Sequence, residues 1–260
     1  MMDGTMAFSV LAPLIGLATL TWVISVIKKD VSIVDSFWSL FIFAALLLWW
    51  FGAETERGPR AFPALILIGV WAIRLSSYIT IRHWGHQEDR RYQKIRQHYE
   101  PMFWLKSLGI IFIFQGFLAF FIALPILPVL MSKEPLTSLD LIGMGLFVLG
   151  LLFETVADQQ MMSFKAKHPG GGVLDKGLWR YSRHPNYFGE ALLWWGFWII
   201  AFAAGAPLWM VLSPTLMTWL LMKFSGVPML EDDLKSRRPD YSSYIESTSA
   251  FFPARPRQKP

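Results

Sequence analysis

Long apolar stretches separated by short polar ones run the length of the chain. Seven stand out, at about residues 6–27, 33–51, 62–82, 107–131, 139–158, 186–204 and 207–224. Each is about 18–25 residues, the length a helix needs to cross a hydrocarbon core. No apolar–polar alternation of the β kind appears, and lipid offers no partner to an open backbone, so helices are the expected solution. The pattern predicts an all-α polytopic membrane protein with seven transmembrane helices. The last two are joined only by Gly205-Ala206-Pro207, a tight helical hairpin. The first does not resemble a signal peptide: Asp3 precedes it, no basic residue does, and no small-residue cleavage site follows.

Charge orients the pattern. With seven spans, the 28–32, 82–106 and 159–185 loops and the tail hold nineteen Lys and Arg, whereas the other side holds Arg57, Arg60 and Lys133. The positive-inside rule then puts the N-terminus outside and the C-terminus in the cytoplasm. Composition agrees with a membrane protein: 54% of residues are hydrophobic, with 13 Trp and 21 Phe, and the charges cluster between apolar runs. The net charge of +5 follows that bracketing, so it points to a membrane surface rather than nucleic acid. With no cysteine, disulfides, thiolate nucleophiles and Cys-held metals are excluded. No linker-like run divides the chain, which predicts one domain over 1–260, and no obligatory protein partner is evident.

The organising stretch is Lys165–Glu190, polar, basic and Gly-rich between two apolar runs. Pro185 suits a first helical turn. Asn186 and Glu190 then share one helix face, and a membrane helix that opens in this way can hold a polar, anionic molecule beside lipid. A solvated loop with interfacial anchors is the plainer alternative.

Other polar residues sit where they are costly. Asp35, early in the second stretch, lies among apolar neighbours; such carboxyls usually face a cavity or a partner. In that setting it is expected as a neutral acid able to donate to a carbonyl, unless it pairs with Arg74 or caps a helix. Arg74 falls mid-span with Tyr78 four residues on, both candidates to line a pocket, although Tyr78 also suits an interfacial belt. Glu154 and Asp158 stand near a helix C-terminus, where carboxylates oppose the macrodipole; ribose hydroxyls, an amide, or a salt network with Lys165 and Lys167 would explain them. The 82–106 loop carries Glu88-Asp89-Arg90-Arg91-Tyr92, then Arg96, His98 and Tyr99. These residue types bind phosphate and stack on adenine, and equally form a positive-inside face. His83, His86 and His98 lack the pattern of a metal site. The tail from Leu230 predicts a short amphipathic helix and a return to the membrane surface, with Tyr241 and Tyr244 able to close over a headgroup or cofactor. No dinucleotide-binding glycine fingerprint and no phosphate-binding Walker loop is present.

The run Arg183-His-Pro-Asn-Tyr-Phe-Gly-Glu190, the Trp-rich span after it, and the tail Glu-Asp…Arg-Pro-Asp-Tyr-x-x-Tyr…Phe-Phe-Pro resemble the steroid 5-alpha-reductase family. The bacterial members, 3-oxo-5-alpha-steroid 4-dehydrogenase-like membrane reductases, are most similar. The resemblance implies a seven-helix enzyme that uses NADPH to reduce the carbon–carbon double bond of a 3-oxo-Δ4 steroid or related enone lipid. It implies Asn186 and Glu190 beside the nicotinamide, and Asp158, Lys165 and Arg74 on the cofactor. Arg180, Arg183, His184, Tyr187, Tyr241 and Tyr244 join them as candidate cofactor residues. Asp35 falls where the steroid enzymes place a Glu on the 3-keto oxygen. Trp71 stands where they have a partner Tyr, a role Tyr78 would take here. Asp35 and Tyr78 are thus the candidate catalytic pair, with Asp35, Trp38 and Trp71 against substrate.

On this resemblance residues 1–131 form mainly the substrate side and 132–260 mainly the cofactor side, with the cofactor reached from the cytoplasm of a bacterial inner membrane. A weaker resemblance runs to the isoprenylcysteine carboxyl methyltransferases, through Arg-His-Pro-x-Tyr, and would imply S-adenosylmethionine instead.

Overall fold

The computed structural model describes residues 4–52, 57–169, 171–224, 231, 238 and 240–257. Among the described residues the fold is all-helical, without a strand. In chain order the helices are α1 (Gly4–Lys28), α2 (Ile33–Gly52), α3 (Ala61–His83), α4 (Arg90–Tyr99), α5 (Phe103–Ala123), α6 (Ile126–Met131), α7 (Ser138–Lys167), α8 (Pro185–Ala203), α9 (Leu208–Lys223) and α10 (Tyr241–Ser247). Five of them, α1, α2, α3, α5 and α7, are long and apolar enough to cross a membrane. Helix α8 opens on polar Asn186 and Glu190, and α9 is shorter.

The helices differ from the apolar pattern at three places. The fourth apolar stretch is broken into α5 and α6 at Leu124-Pro125, where proline lacks the N–H a continuous helix needs. Helix α7 continues nine residues beyond its apolar run to Lys167, because Gln, Met, Lys and Ala are good helix formers. The charged 82–106 loop contains a helix of its own, α4. The amphipathic helix expected from Leu230 lies outside the described residues, Glu231 and Arg238 excepted.

The chain divides into two compact units, Met1–Thr137 with Ala201–Ser213, and Ser138–Ile200 with Pro214–Pro260. In the first, α2 packs chiefly on α3, and α5 lies on both α1 and α2. Leu14, Ala18, Ile42, Leu46, Ile68, Trp71, Phe112 and Ala119 are fully buried between them. Interhelical polar contacts reinforce the apolar packing, as expected in lipid: Ser39 Oγ donates to the Ala72 carbonyl at 2.8 Å and Trp49 Nε1 to the Met6 carbonyl at 3.0 Å. The buried Arg60 donates to the Glu134 and Pro135 carbonyls at 2.6 and 3.0 Å, tying the start of α3 to the segment after α6.

In the second unit, α7 and α8 meet on glycines. A Cβ at Gly150 would lie 2.6 Å from the Gly189 carbonyl oxygen, and one at Gly189 would lie 2.6 Å from the Glu154 backbone nitrogen. A Cβ added at Gly143 or at Gly196 would likewise lie 2.7 Å from the other's carbonyl oxygen. The glycines recur seven residues apart on both helices, so small residues line one stripe of each and the backbones touch. This contact brings the cytoplasm-expected end of α7 against the first turn of α8.

Candidate functional site

In the first unit a polar cluster is assembled from three chain segments. Asp35, in the first turn of α2, accepts from the Tyr92 hydroxyl at 2.6 Å and from the Arg91 guanidinium at 2.7 Å. Both donors come from the opening of α4, 56 and 57 residues later. The loop before α4 fixes them. Asp89 caps α4 by accepting from the Arg91 backbone N–H at 2.9 Å, and its own N–H donates to Ser32 Oγ at 2.7 Å. Glu88 accepts from the Val31 N–H at 2.9 Å, at the entrance to α2, and from Arg96 at 2.7 and 2.9 Å. The starts of α2 and α4 therefore cap each other. Burial would raise the Asp89 pKa, but hydrogen bonds from His83 and Arg91 and the Arg91 charge outweigh it and hold the carboxyl well below the usual range.

Tyr92 is buried, and burial together with the Asp35 charge pushes its phenol well above the ordinary value. It is thus an O–H donor at any physiological pH. Gln115 of α5, just past the π-helical turn Leu108–Ile113, places Nε2 3.5 Å from the Tyr92 oxygen. Its Oε1 is buried without a hydrogen-bond partner among the described residues. Tyr92 is therefore a tyrosine that reaches Asp35. Tyr78 and Arg74 are half-buried on α3, with the Arg82 guanidinium over the Tyr78 ring at 5.6 Å. Trp71 is fully buried in the helix core, and Trp38 is half-buried one turn beyond Asp35. Asp35 thus has a partner at each carboxyl oxygen, Tyr92 at one and Arg91 at the other.

In the second unit, Asn186 Nδ2 donates to Asp158 Oδ1 at 3.1 Å across the glycine contact, and Glu190 accepts from Trp194 Nε1 at 3.1 Å. Asn186 Oδ1 is buried and has no hydrogen-bond partner among the described residues. Beside this pair Arg183, His184 and Glu231 form a buried cluster. Arg183 holds Glu231 through two nitrogens at 2.7 and 3.2 Å, and His184 Nε2 lies 3.1 Å from the same carboxylate. Arg183 also donates to the Ile245 carbonyl at 3.0 Å and to the Thr248 carbonyl. Burial favours a charged Glu231 least, yet hydrogen bonds from His184 and Arg183 bring its pKa down to about 2. Burial lowers His184 despite that carboxylate, so the imidazole is neutral.

The chain after α10 is strapped across the same place. Ser182 Oγ donates to the Phe251 carbonyl at 2.8 Å, the Arg183 N–H to the Ser249 carbonyl at 2.8 Å, and the Ala254 N–H to the Tyr181 carbonyl at 2.9 Å. Tyr244 donates to the Trp179 carbonyl, and Tyr241 packs beside it at 5.7 Å between ring centroids. Arg183, His184, Tyr241 and Tyr244 are thereby engaged in holding the loop and tail to the entrance of α8. Tyr187 stacks on His184 at 5.3 Å, while Lys165 and Arg180 are exposed.

The family profile described as "Protein of unknown function (DUF1295)" matches residues 21–248. The chain belongs to the DUF1295 family. This DUF1295 chain is 27% identical over 269 residues to the uncharacterized protein C594.04c of Schizosaccharomyces pombe, covering 91% of this chain and 76% of the relative. It is 33% identical over 63 residues to the steroid 5-alpha-reductase DET2 of Arabidopsis thaliana, a match covering 24% of each chain. No solved structure matches it.

Within this DUF1295 chain, sequence reasoning did not bring Arg91, Tyr92 and Gln115 to Asp35, nor Glu231 to Arg183. Arg91 and Tyr92 stood in a charge run that reads as a phosphate- and adenine-binding loop or a positive-inside face, and Gln115 is a lone amide in an apolar span. Glu231 was read as part of an amphipathic helix and of the tail motif, without a partner. The polar intrusion at Gln115 was the available signal: an amide within a membrane segment needs a partner.

Proposed function

We propose that this protein is an NADPH-dependent membrane reductase that saturates the carbon–carbon double bond of a 3-oxo-Δ4 steroid or related enone lipid. The observation that carries this reading is the part-buried Asp35–Tyr92 hydrogen bond, backed by Arg91. It places a persistent, buried O–H donor beside a membrane helix, and a preorganised donor aimed at a developing oxyanion stabilises it strongly. The likeness to a protein named steroid 5-alpha-reductase supports the same class.

In the second unit Asn186, Asp158, Glu190 and Lys165 would hold the cofactor. The group fits there on one structural ground: the unpartnered Asn186 Oδ1 is an acceptor suited to a carboxamide N–H. Bound NADPH supplies the hydride for the β-carbon of the enone. Tyr92 turns its hydroxyl from Asp35 to the ketone oxygen and stabilises the enolate as negative charge gathers there. Arg91 keeps the Asp35 carboxylate balanced while Tyr92 is turned away. A proton from water completes the α-carbon. We further propose seven membrane crossings, with the N-terminus outside and the cofactor residues facing the cytoplasm, in a bacterial inner membrane.

The test is twofold. Purified protein is melted with NADPH, NADH or S-adenosylmethionine, since a ligand of the native state raises the melting temperature. NADPH oxidation is then followed with progesterone or testosterone. Stabilisation by NADPH and consumption of it only with enone are expected. Stabilisation by S-adenosylmethionine alone would overturn the reductase reading in favour of a lipid-facing methyltransferase.

A further inference from the structure

We infer that the outward face at the end of α7 is a binding site for an anionic membrane phospholipid. A groove of about 440 Å³ lies there, lined by Gln159, Ser163, Phe164, Lys167 and His168 of the helix end and Lys176 of the following loop, among others. No carboxylate is among its lining residues.

The groove is distinct from the Asp158–Asn186 contact by helix geometry. Gly143, Gly150, Glu154 and Asp158 occupy the buried face of α7. Residues at i+3, i+4 and i+7 share a face, and Val156, Gln159, Ser163 and Lys167 follow that spacing on the opposite side. Directly along this outward face, toward the other end of the helix, run Ile142, Leu149, Leu152 and Val156, which are 53%, 52%, 57% and 45% exposed. A stripe of open aliphatic side chains therefore leads into a pocket of cations and amides. That sequence of surfaces matches one molecule: acyl chains along the stripe, a phosphate among Lys167, Lys176 and His168.

Length places the groove at the right depth. Helix α7 has 30 residues, about 45 Å at 1.5 Å each, against a hydrocarbon core of about 30 Å; its last turns must emerge among headgroups. The loop is held there rigidly: Leu178 N–H donates to Gln160 Oε1 at 3.0 Å and Trp179 Nε1 to the Ala157 carbonyl at 3.0 Å. His168 stacks on Phe164 at 4.3 Å. Lysines at a helix C-terminus complement the macrodipole, which accounts for Lys167. It does not account for Lys176, which arrives from the loop and lines the same groove.

The experiment uses the full chain, delipidated in detergent, with native mass spectrometry of added dioleoyl-phosphatidylglycerol and dioleoyl-phosphatidylcholine. The wild type is expected to retain the anionic lipid preferentially. One basic side chain at an anionic surface is worth about 1 kcal/mol, so Lys167→Gln and Lys176→Gln should each weaken retention about fivefold, and the pair about 25-fold. Lys106→Gln, outside the groove, should leave retention unchanged, and all variants should melt as the wild type does. Equal retention of the two lipids, or undiminished retention by the double variant, overturns the proposal. Displacement of the lipid by inorganic phosphate or by NADP at millimolar concentration also overturns it, in favour of a soluble-anion site.

Discussion

The two units solve the same problem, a charged group inside an apolar scaffold, in opposite ways. In the first, Asp35 belongs to a membrane helix, and its partners arrive from outside on a short polar helix. In the second, the scaffold is helix against helix, closed to backbone contact by four glycines, and the charged cluster lies just ahead of α8 under a strap of tail. The first arrangement leaves a hydroxyl and an amide that can change partners. The second consumes nearly every donor of Arg183 in fixed bonds. Charge held by side chains that can exchange partners suits chemistry; charge held by backbone carbonyls suits architecture.

Four outcomes would break or sharpen that contrast. Glu231→Ala should have the largest effect, because it strands a buried guanidinium: about 3–5 kcal/mol of stability, read as a fall in denaturation midpoint. If stability is unchanged, the cluster is not architectural. Tyr92→Phe should lower enone turnover about 10²–10³-fold with a small change in melting temperature. A variant that melts early yet keeps its turnover would reverse the roles assigned to the two clusters.

Gly189→Val should cost about 1–3 kcal/mol, the usual range for overpacking, since its Cβ meets backbone rather than a yielding side chain. It should also weaken NADPH binding more than any change in the first unit, which titration by fluorescence would show.

The smallest effect is the pH dependence. Glu231 falls from an ordinary 4.5 to about 2, so the folded state binds fewer protons than the unfolded one. Its contribution is complete above about pH 4.5 and is lost as pH falls through about 2. Neutral His184 acts with the same sign, its share eroding below its ordinary value of 6.5. Melting curves from pH 7 to 3 should therefore decline more for the wild type than for Glu231→Gln.

Much of the fold was legible because lipid leaves few choices: apolar runs of sufficient length became α1, α2, α3, α5 and α7. Pro185 marked the start of α8, and Asp35 announced a partner by its cost alone. What stayed hidden was long-range. Arg91 and Tyr92 sit in a run whose composition is that of any cytoplasmic loop, and only tertiary folding turns them toward Asp35. Glycine carries no side chain to suggest a contact, so the seven-residue spacing shared by Gly143, Gly150, Gly189 and Gly196 signalled the helix crossing only after it was seen. The backbone carbonyls that hold Arg183 are invisible in any one-letter string.

The mutual capping of α2 and α4 has a consequence for biosynthesis. Val31 and Asp35 receive their partners from residues 56 and 57 positions downstream, which at ordinary elongation speeds emerge from the ribosome roughly 3–11 s later. The first helical hairpin must therefore enter the bilayer with an acidic side chain still unanswered. Its final seating waits on α4, a ten-residue helix too short and too polar to span a membrane.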